Sequence, residues 1–161
     1  MIDKLVKGLK ILVLLLFITS IREVFSATKN TVFMSLKFNE VNLRAGPSLE
    51  FPILFTYKLK NIPVKVVGEY DKWLKVIDKD GDSGWISEHL LSKARTVIVI
   101  KDNQLLYSNY NKESYPVYRI EKNVIGRLLK CKFNRCKIKI SKNKGWIDKT
   151  AIWGLEEEID R

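Results

Sequence analysis

Trp73-Leu74-Lys75-Val76-Ile77-Asp78-Lys79-Asp80-Gly81-Asp82-Ser83-Gly84-Trp85-Ile86 is the stretch on which the fold turns. Leu74 and Val76 alternate with Lys75, the two-residue period of a half-buried strand. Asp80-Gly81 suits the positive φ angles of a type I′ turn, so a second strand should return through Gly84-Trp85-Ile86. A weaker copy follows some 62 residues on. Asn61-Ile62-Pro63-Val64 is matched by Asn123-Val124-Ile125-Gly126, Trp73-Leu74-Lys75-Val76 by Arg135-Cys136-Lys137-Ile138, and Gly84-Trp85-Ile86 by Gly145-Trp146-Ile147. The order is kept with one residue fewer in the last interval, as one small fold used twice would leave it. In the second hairpin Lys137 and Lys139 must face away from Ile138 and Ile140, which predicts a strand with its lysines outward.

Outward from the repeat, β-branched runs recur between turn signals and helical periodicity is hard to find. Thr96 to Ile100 is a continuous apolar strand that opens the second copy. Ser92-Lys93-Ala94-Arg95 is the boundary; it holds neither Pro nor Gly, so the junction should be tight. Short strands with frequent turns predict an all-β chain of two small barrels in tandem, residues 34–92 and 95–155. Each copy is about 60 residues and marginal alone, so a disulfide or packing between copies would help.

Residues 1–27 read as an export leader: Lys4, Lys7 and Lys10 precede an apolar run from Ile11 to Ile18, and Ser26-Ala27 offers small residues for cleavage. The run falls short of the ~20 residues of a membrane span; an uncleaved anchor is the alternative. Charge is shared unevenly. Residues 34–92 hold eight Lys+Arg and eight Asp+Glu, residues 95–155 hold fourteen and four, a net +10, and the tail 156–161 turns acidic. An anionic partner should prefer the second copy.

Val41-Asn42-Leu43-Arg44-Ala45-Gly46-Pro47-Ser48 followed by Trp73, Val76 and Gly84-Trp85-Ile86 resembles the bacterial SH3-like (SH3b) domain family. The second copy resembles it less at its start, where Leu105-Leu106-Tyr107-Ser108-Asn109 replaces the opening motif. Its ending, through Gly145-Trp146-Ile147 to Trp153-Gly154, is similar to exported tandem SH3-like proteins of Gram-negative bacteria. The resemblance spans residues 34–155. It implies about five strands per copy, no enzymatic activity, and binding of cell-wall peptides, peptidoglycan or protein partners.

Cys131 and Cys136 flank Lys132-Phe133-Asn134-Arg135, read as a four-residue hairpin loop, and an even pair in an exported protein reads as a disulfide, with a reduced pair as the alternative. Closing so small a loop contributes about 2 kcal/mol on the chain-entropy account. Asp78, Asp80 and Asp82 lack the remaining ligands of a calcium loop, and a solvated hairpin tip is the expectation. His89 is the only histidine, and no nucleophile motif accompanies it. No catalytic residue, metal site or cofactor is expected.

Arg44, Tyr57, Tyr70, Trp73 and Trp85 are the candidate ligand groove, where flat rings would accept peptide or sugar faces. The competing reading puts Trp85 and Trp146 in the two cores. Arg135 stands where Trp73 does, so an aromatic site in the second copy would need Tyr118 and Trp153. Lys130, Lys132, Lys137 and Lys139 form a candidate basic face, or else edge lysines that block strand-to-strand aggregation. Three functions follow. The first is a periplasmic or secreted protein that binds peptidoglycan or its stem peptides. The second is an envelope scaffold with a protein partner and no wall affinity. The third is adhesion of the second copy to anionic membranes. Nucleic acid is not an expected partner, and membrane contact otherwise requires a retained leader.

Overall fold

Segments with a two-residue period become strands along the whole described chain. The computed structural model describes residues 32–156; the leader and the acidic residues after Glu156 lie outside them. The first sheet is built from β1 (Val32–Leu36), β2 (Val41–Arg44), β3 (Ile53–Tyr57), β4 (Pro63–Tyr70), β5 (Trp73–Ile77), β6 (Ser83–Ser87) and β7 (Leu91–Ser92). The second comprises β8 (Thr96–Val99), β9 (Gln104–Tyr107), β10 (Pro116–Ile120), β11 (Ile125–Lys132), β12 (Arg135–Ile140), β13 (Asn143–Asp148) and β14 (Ile152–Trp153). Among the described residues no helix is long and apolar enough to cross a membrane.

Both sheets share one topology. The first runs β3-β2-β6-β5-β4-β1-β7 and the second β10-β9-β13-β12-β11-β8-β14. Details repeat as well. Asn61 and Asn123 adopt φ 66° and 68°, and their N–H groups donate to Leu36 O and Val99 O at 2.8 Å. An extra residue bulges β4 between Val66 and Gly68, and β11 between Leu128 and Lys130. A short 3₁₀ turn precedes the last strand of each copy, Glu88–Leu90 and Lys149–Ala151. The sequence implies closed barrels of about five strands; the structure has seven strands per sheet, in an order that ends at β3 and β7 without closing. The terminal β7 and β14 are two residues long and bond only β1 and β8.

Each sheet buries one face. Leu36, Val41, Leu43, Val64, Val76 and Ile86 are the fully buried centre of the first core, and Val97, Val99, Leu106, Ile138 and Ile147 that of the second. Tyr57 belongs to the first core and donates from its hydroxyl to Asp78 Oδ2 at 3.1 Å. The other oxygen of Asp78 accepts from the N–H of Asp80 and of Asp82, at 2.9 and 3.0 Å. The β5–β6 turn is therefore organised by a buried carboxylate. Of the Asp80-Gly81 pair expected to form a type I′ turn, only Gly81 has a positive φ, 91°.

The junction is as tight as its sequence predicts. Ser35 Oγ lies 2.6 Å from Ala94 O and 2.6 Å from Thr96 Oγ1, which donates to Asn61 O at 2.8 Å. Two hydroxyl protons are shared among three contacts, all buried or partly so. Phe33 meets Trp153 edge to face at 4.9 Å between ring centroids. Gly154, at φ +110°, lets Pro63 and the Thr96 carbonyl approach: a β-carbon there would lie 2.7 Å from Thr96 O.

Gly154→Ala should thus destabilise the protein by about 2 kcal/mol or more, from φ strain and the clash together; an unchanged melting temperature would contradict this role. Tyr57 gives a second expectation. Burial first, then the charge of Asp78 and its hydrogen bond, push the Tyr57 phenol above its ordinary pKa. The folded chain keeps a proton that the unfolded chain releases near pH ~10, so this contribution is complete below that pH and is lost as pH rises further. Tyr57→Phe should be less stable at neutral pH, and denaturation across pH 8–12 should find the deficit shrinking by up to about 1.4 kcal/mol per unit above pH ~10.

Candidate functional site

The Gly-Trp-Ile motif sets the outer face of each sheet. A β-carbon on Gly84 would lie 2.6 Å from Leu43 Cγ, and one on Gly145 would lie 2.7 Å from Leu106 Cβ. Glycine is what allows β6 to lie against β2, and β13 against β9. The residue after it must then face the other way, so Trp85 and Trp146 point outward while Ile86 and Ile147 enter the cores. Trp85 is only half-buried, which corrects the competing reading for it; Trp146, 4% exposed, is buried as that reading has it, though outside the second core cluster. Trp146 is covered by Tyr110, at 5.2 Å between ring centroids.

In the first module the outer face is aromatic. Tyr70 stands opposite Trp73 across the β4–β5 turn, and Trp85 stands between Lys75 and Arg44. Beside them is a cleft of about 350 Å³ lined by Asn42, Arg44, Leu49, Trp73, Ser87, His89 and Leu90. Arg44 Nη1 donates to Leu49 O and Phe51 O, at 3.0 and 2.8 Å, and so holds the β2–β3 loop as one wall. Ser87 Oγ and His89 Nδ1 are 2.9 Å apart on the opposite side. Guanidinium, imidazole, amide and hydroxyl groups thus surround one indole, and no carboxylate lines the cleft.

The five predicted groove residues are partly brought together. Arg44 and Trp73 line the cleft; Trp85 and Tyr70 share its face outside the cleft; Tyr57 does not, because its ring fills the core. Sequence reading missed Asn42, Ser87 and His89, which reach the cleft from β2, the end of β6 and the following 3₁₀ turn. The position of His89 two residues after Ser87 was the available signal.

The second module has the same positions filled differently. Arg135, in the place of Trp73, stacks 3.9 Å from the centroid of Tyr107, which occupies the place of Arg44. Its Nε donates to Asp148 at 3.1 Å, and its Nη1 points to Asn109 O and Asn111 O at 3.4 Å. Arginine and aromatic have exchanged strands, and the arginine still ties down the β9–β10 loop. Tyr118 and Trp153 make no shared site: they sit on β10 and β14, at opposite ends of the strand order, and Trp153 is spent on Phe33.

Lys130, Lys132, Lys137 and Lys139 do share one face. Register adds others: Arg127 opposes Lys139, which opposes Lys144, while Lys130 opposes Lys137 and Lys132 opposes Arg135. Lys137 and Lys139 lie on β12, which is paired on both sides, so the edge-guard reading fails for them; Lys130 and Lys132 lie beyond the Ile125–Arg127 stretch that pairs β11 with β8, where that reading still applies. Cys131 and Cys136 are directly opposed and disulfide-bonded, with their Cα atoms 3.9 Å apart.

A family described as bacterial SH3 domain matches residues 37–93 and again residues 101–154. Among solved structures the chain is similar to NlpC2 from Trichomonas vaginalis, at 15% identity and TM-score 0.37 over 84% of this chain and 52% of that one. NlpC1 from Trichomonas vaginalis gives 17%, 0.37, 84% and 50%. An NlpC/P60 family protein from Bacillus cereus gives 16%, 0.34, 77% and 56%. The chain spans about half the length of these structures, and likenesses this loose say nothing of its activity. A search of curated proteins finds no match.

Arg44→Ala should release the wall of the cleft. Amide hydrogen exchange across residues 45–52 should quicken by about tenfold, as the two exposed hydrogen bonds from one guanidinium nitrogen are lost together, with β11–β13 unaffected. Unaltered exchange in the loop would remove Arg44 from this role.

Proposed function

The chain belongs to the bacterial SH3 domain family twice over, and we propose on that footing that it is an exported, non-catalytic binding protein of the cell envelope whose first module takes peptidoglycan or its stem peptides in the Trp73–Arg44 cleft. The observation that carries this is the asymmetry between modules. One cleft is open beside an indole, and its counterpart is plugged by Arg135. Donor groups with no carboxylate among them suit the carboxylates, amides and hydroxyls of a wall peptide or sugar, and the indole supplies a flat apolar face. Export is supported by the charged-then-apolar leader and by the Cys131–Cys136 disulfide, a bond that persists in oxidising compartments.

A scaffolding role is the second reading, favoured by apolar exposure beside the cleft. Leu49, Phe51, Ile53 and Leu54 are 75, 44, 48 and 52% exposed on the β2–β3 loop and edge strand β3. Such a patch fits a protein partner.

Retention on purified cell-wall sacculi separates the two. Trp73→Ala should weaken retention by about tenfold or more, as expected of a central aromatic anchor, while the exposed Lys60→Ala should bind as wild type. No retention of the wild type, combined with crosslinking to a defined protein that survives wall digestion, would establish the scaffold instead.

A further inference from the structure

Phe133 stands where a phenylalanine serves the fold badly. It occupies the two-residue turn between β11 and β12, at φ +50°, with 73% of its surface exposed. Among the described non-glycine residues with positive φ, the others are Asn, Asp or Ser: Asn61, Asp71, Asn103, Asn123 and Ser141. Those residues adopt the left-handed region at modest cost, whereas a bulky side chain there is an outlier. Asp71 holds the equivalent turn of the first module. Phe133 therefore carries backbone strain and exposed apolar surface at one position. Such strain concentrates at functional sites.

The surroundings supply the complementary observation. Tyr110 lies 5.8 Å from the Phe133 ring and 5.2 Å from Trp146, so the rings form one cluster. Lys132 Nζ sits 4.2 Å from the centroid of Tyr110 and 2.8 Å from its hydroxyl. Lys130 and Lys137 each lie 5.9 Å over Trp146. These two lysines face each other across the sheet, an arrangement that works against strand pairing. Among the described residues the acids nearby are few: Asp148 is paired with Arg135, and Glu156 lines a cleft with Lys130. Among the described residues, this face combines an excess of positive charge with an aromatic tip.

We infer that the β11–β12 hairpin of the second module docks on an anionic lipid surface, with Phe133 entering the headgroup layer and Lys130, Lys132 and Lys137 bonding its phosphates. One occupant then satisfies both features. A bilayer surface offers negative charge and, immediately beneath it, hydrocarbon. A soluble polyanion would neutralise the lysines and leave Phe133 in water. This contact is independent of the Trp73 cleft and of any retained leader.

The test uses the full chain with vesicles of phosphatidylglycerol or of phosphatidylcholine. Phe133→Trp should add an emission component, absent from the wild type, that shifts to the blue and is quenched by lipids carrying a shallow spin label. This should occur on phosphatidylglycerol only and be lost at about 0.5 M salt. The extra component reads the hairpin itself, so leader binding cannot imitate it. Phe133→Asn should reduce the salt-sensitive part of vesicle binding by about tenfold, melt no lower than wild type, and keep its retention on sacculi. The double variant Lys130→Ser/Lys137→Ser should lose a factor of about five for each charge. The inference is overturned if the Phe133→Trp component is not quenched on anionic vesicles. It is equally overturned if Phe133→Asn melts lower, which assigns the ring to the fold, or if wild type binds soluble polyphosphate with no vesicle signal.

Discussion

Gly84 has no room for a side chain, and much of the molecule follows from that. The backbone of β6 lies so close to Leu43 that a β-carbon would overlap it, and Gly145 repeats the contact against Leu106. Because successive residues of a strand point to opposite faces, the glycine commits its neighbour to the outer face and the next residue but one to the core. Ile86 and Ile147 become core residues. The two tryptophans become the central furniture of an outer face, and what flanks them decides what each module presents. In the first, Tyr70, Trp73 and Arg44 frame an open cleft. In the second, lysines and Arg135 take the neighbouring positions.

The exchange of arginine and aromatic between strands shows which element the fold needs and which it can vary. In both modules an arginine reaches backbone carbonyls of the loop after the second strand: Arg44 from β2, and Arg135 from β12. The loop requires donors for carbonyls that the sheet does not satisfy, and either strand can supply them. The consequence for binding differs sharply. From β2 the guanidinium leaves the indole of Trp73 accessible; from β12 it lies on Tyr107 and occupies the equivalent space. One fold thus retains its loop while opening a site in one copy and closing it in the other.

What was legible in the sequence followed the two-residue period. The repeated hairpins, the outward Lys137 and Lys139, the apolar opening of the second module and the tight junction all lie in local pattern. The cysteine pairing was legible too, since Cys131 and Cys136 span a two-residue turn in register. Tyr57 was misplaced because its burial depends on a hydroxyl partner, Asp78, that is 21 residues away. Trp85 and Trp146 were open to a core reading because bulk argues for burial, although adjacent Trp-Ile residues cannot both face inward. The cleft itself was least visible. Asn42, Ser87 and His89 meet only when β2 is laid beside β6, a non-consecutive pairing that no local pattern announces.

The junction gives the differing faces a common consequence. Ser35, Asn61, Ala94 and Thr96 share a buried hydroxyl web, and Phe33 closes on Trp153 across the same seam. Both modules fall within one compact unit, so neither is a bead on a flexible tether. A tethered pair loses conformational freedom when its second site engages, whereas modules already held together have given up that freedom on folding. On the proposed function, occupation of the open cleft would orient the cationic face at little further entropic cost. The same junction is a restriction: partners of both proposed surfaces would have to be presented at the spacing the seam dictates. On the two proposals together, a fixed pair of unlike surfaces would favour places where two kinds of material lie a constant distance apart, a selectivity neither module would have alone.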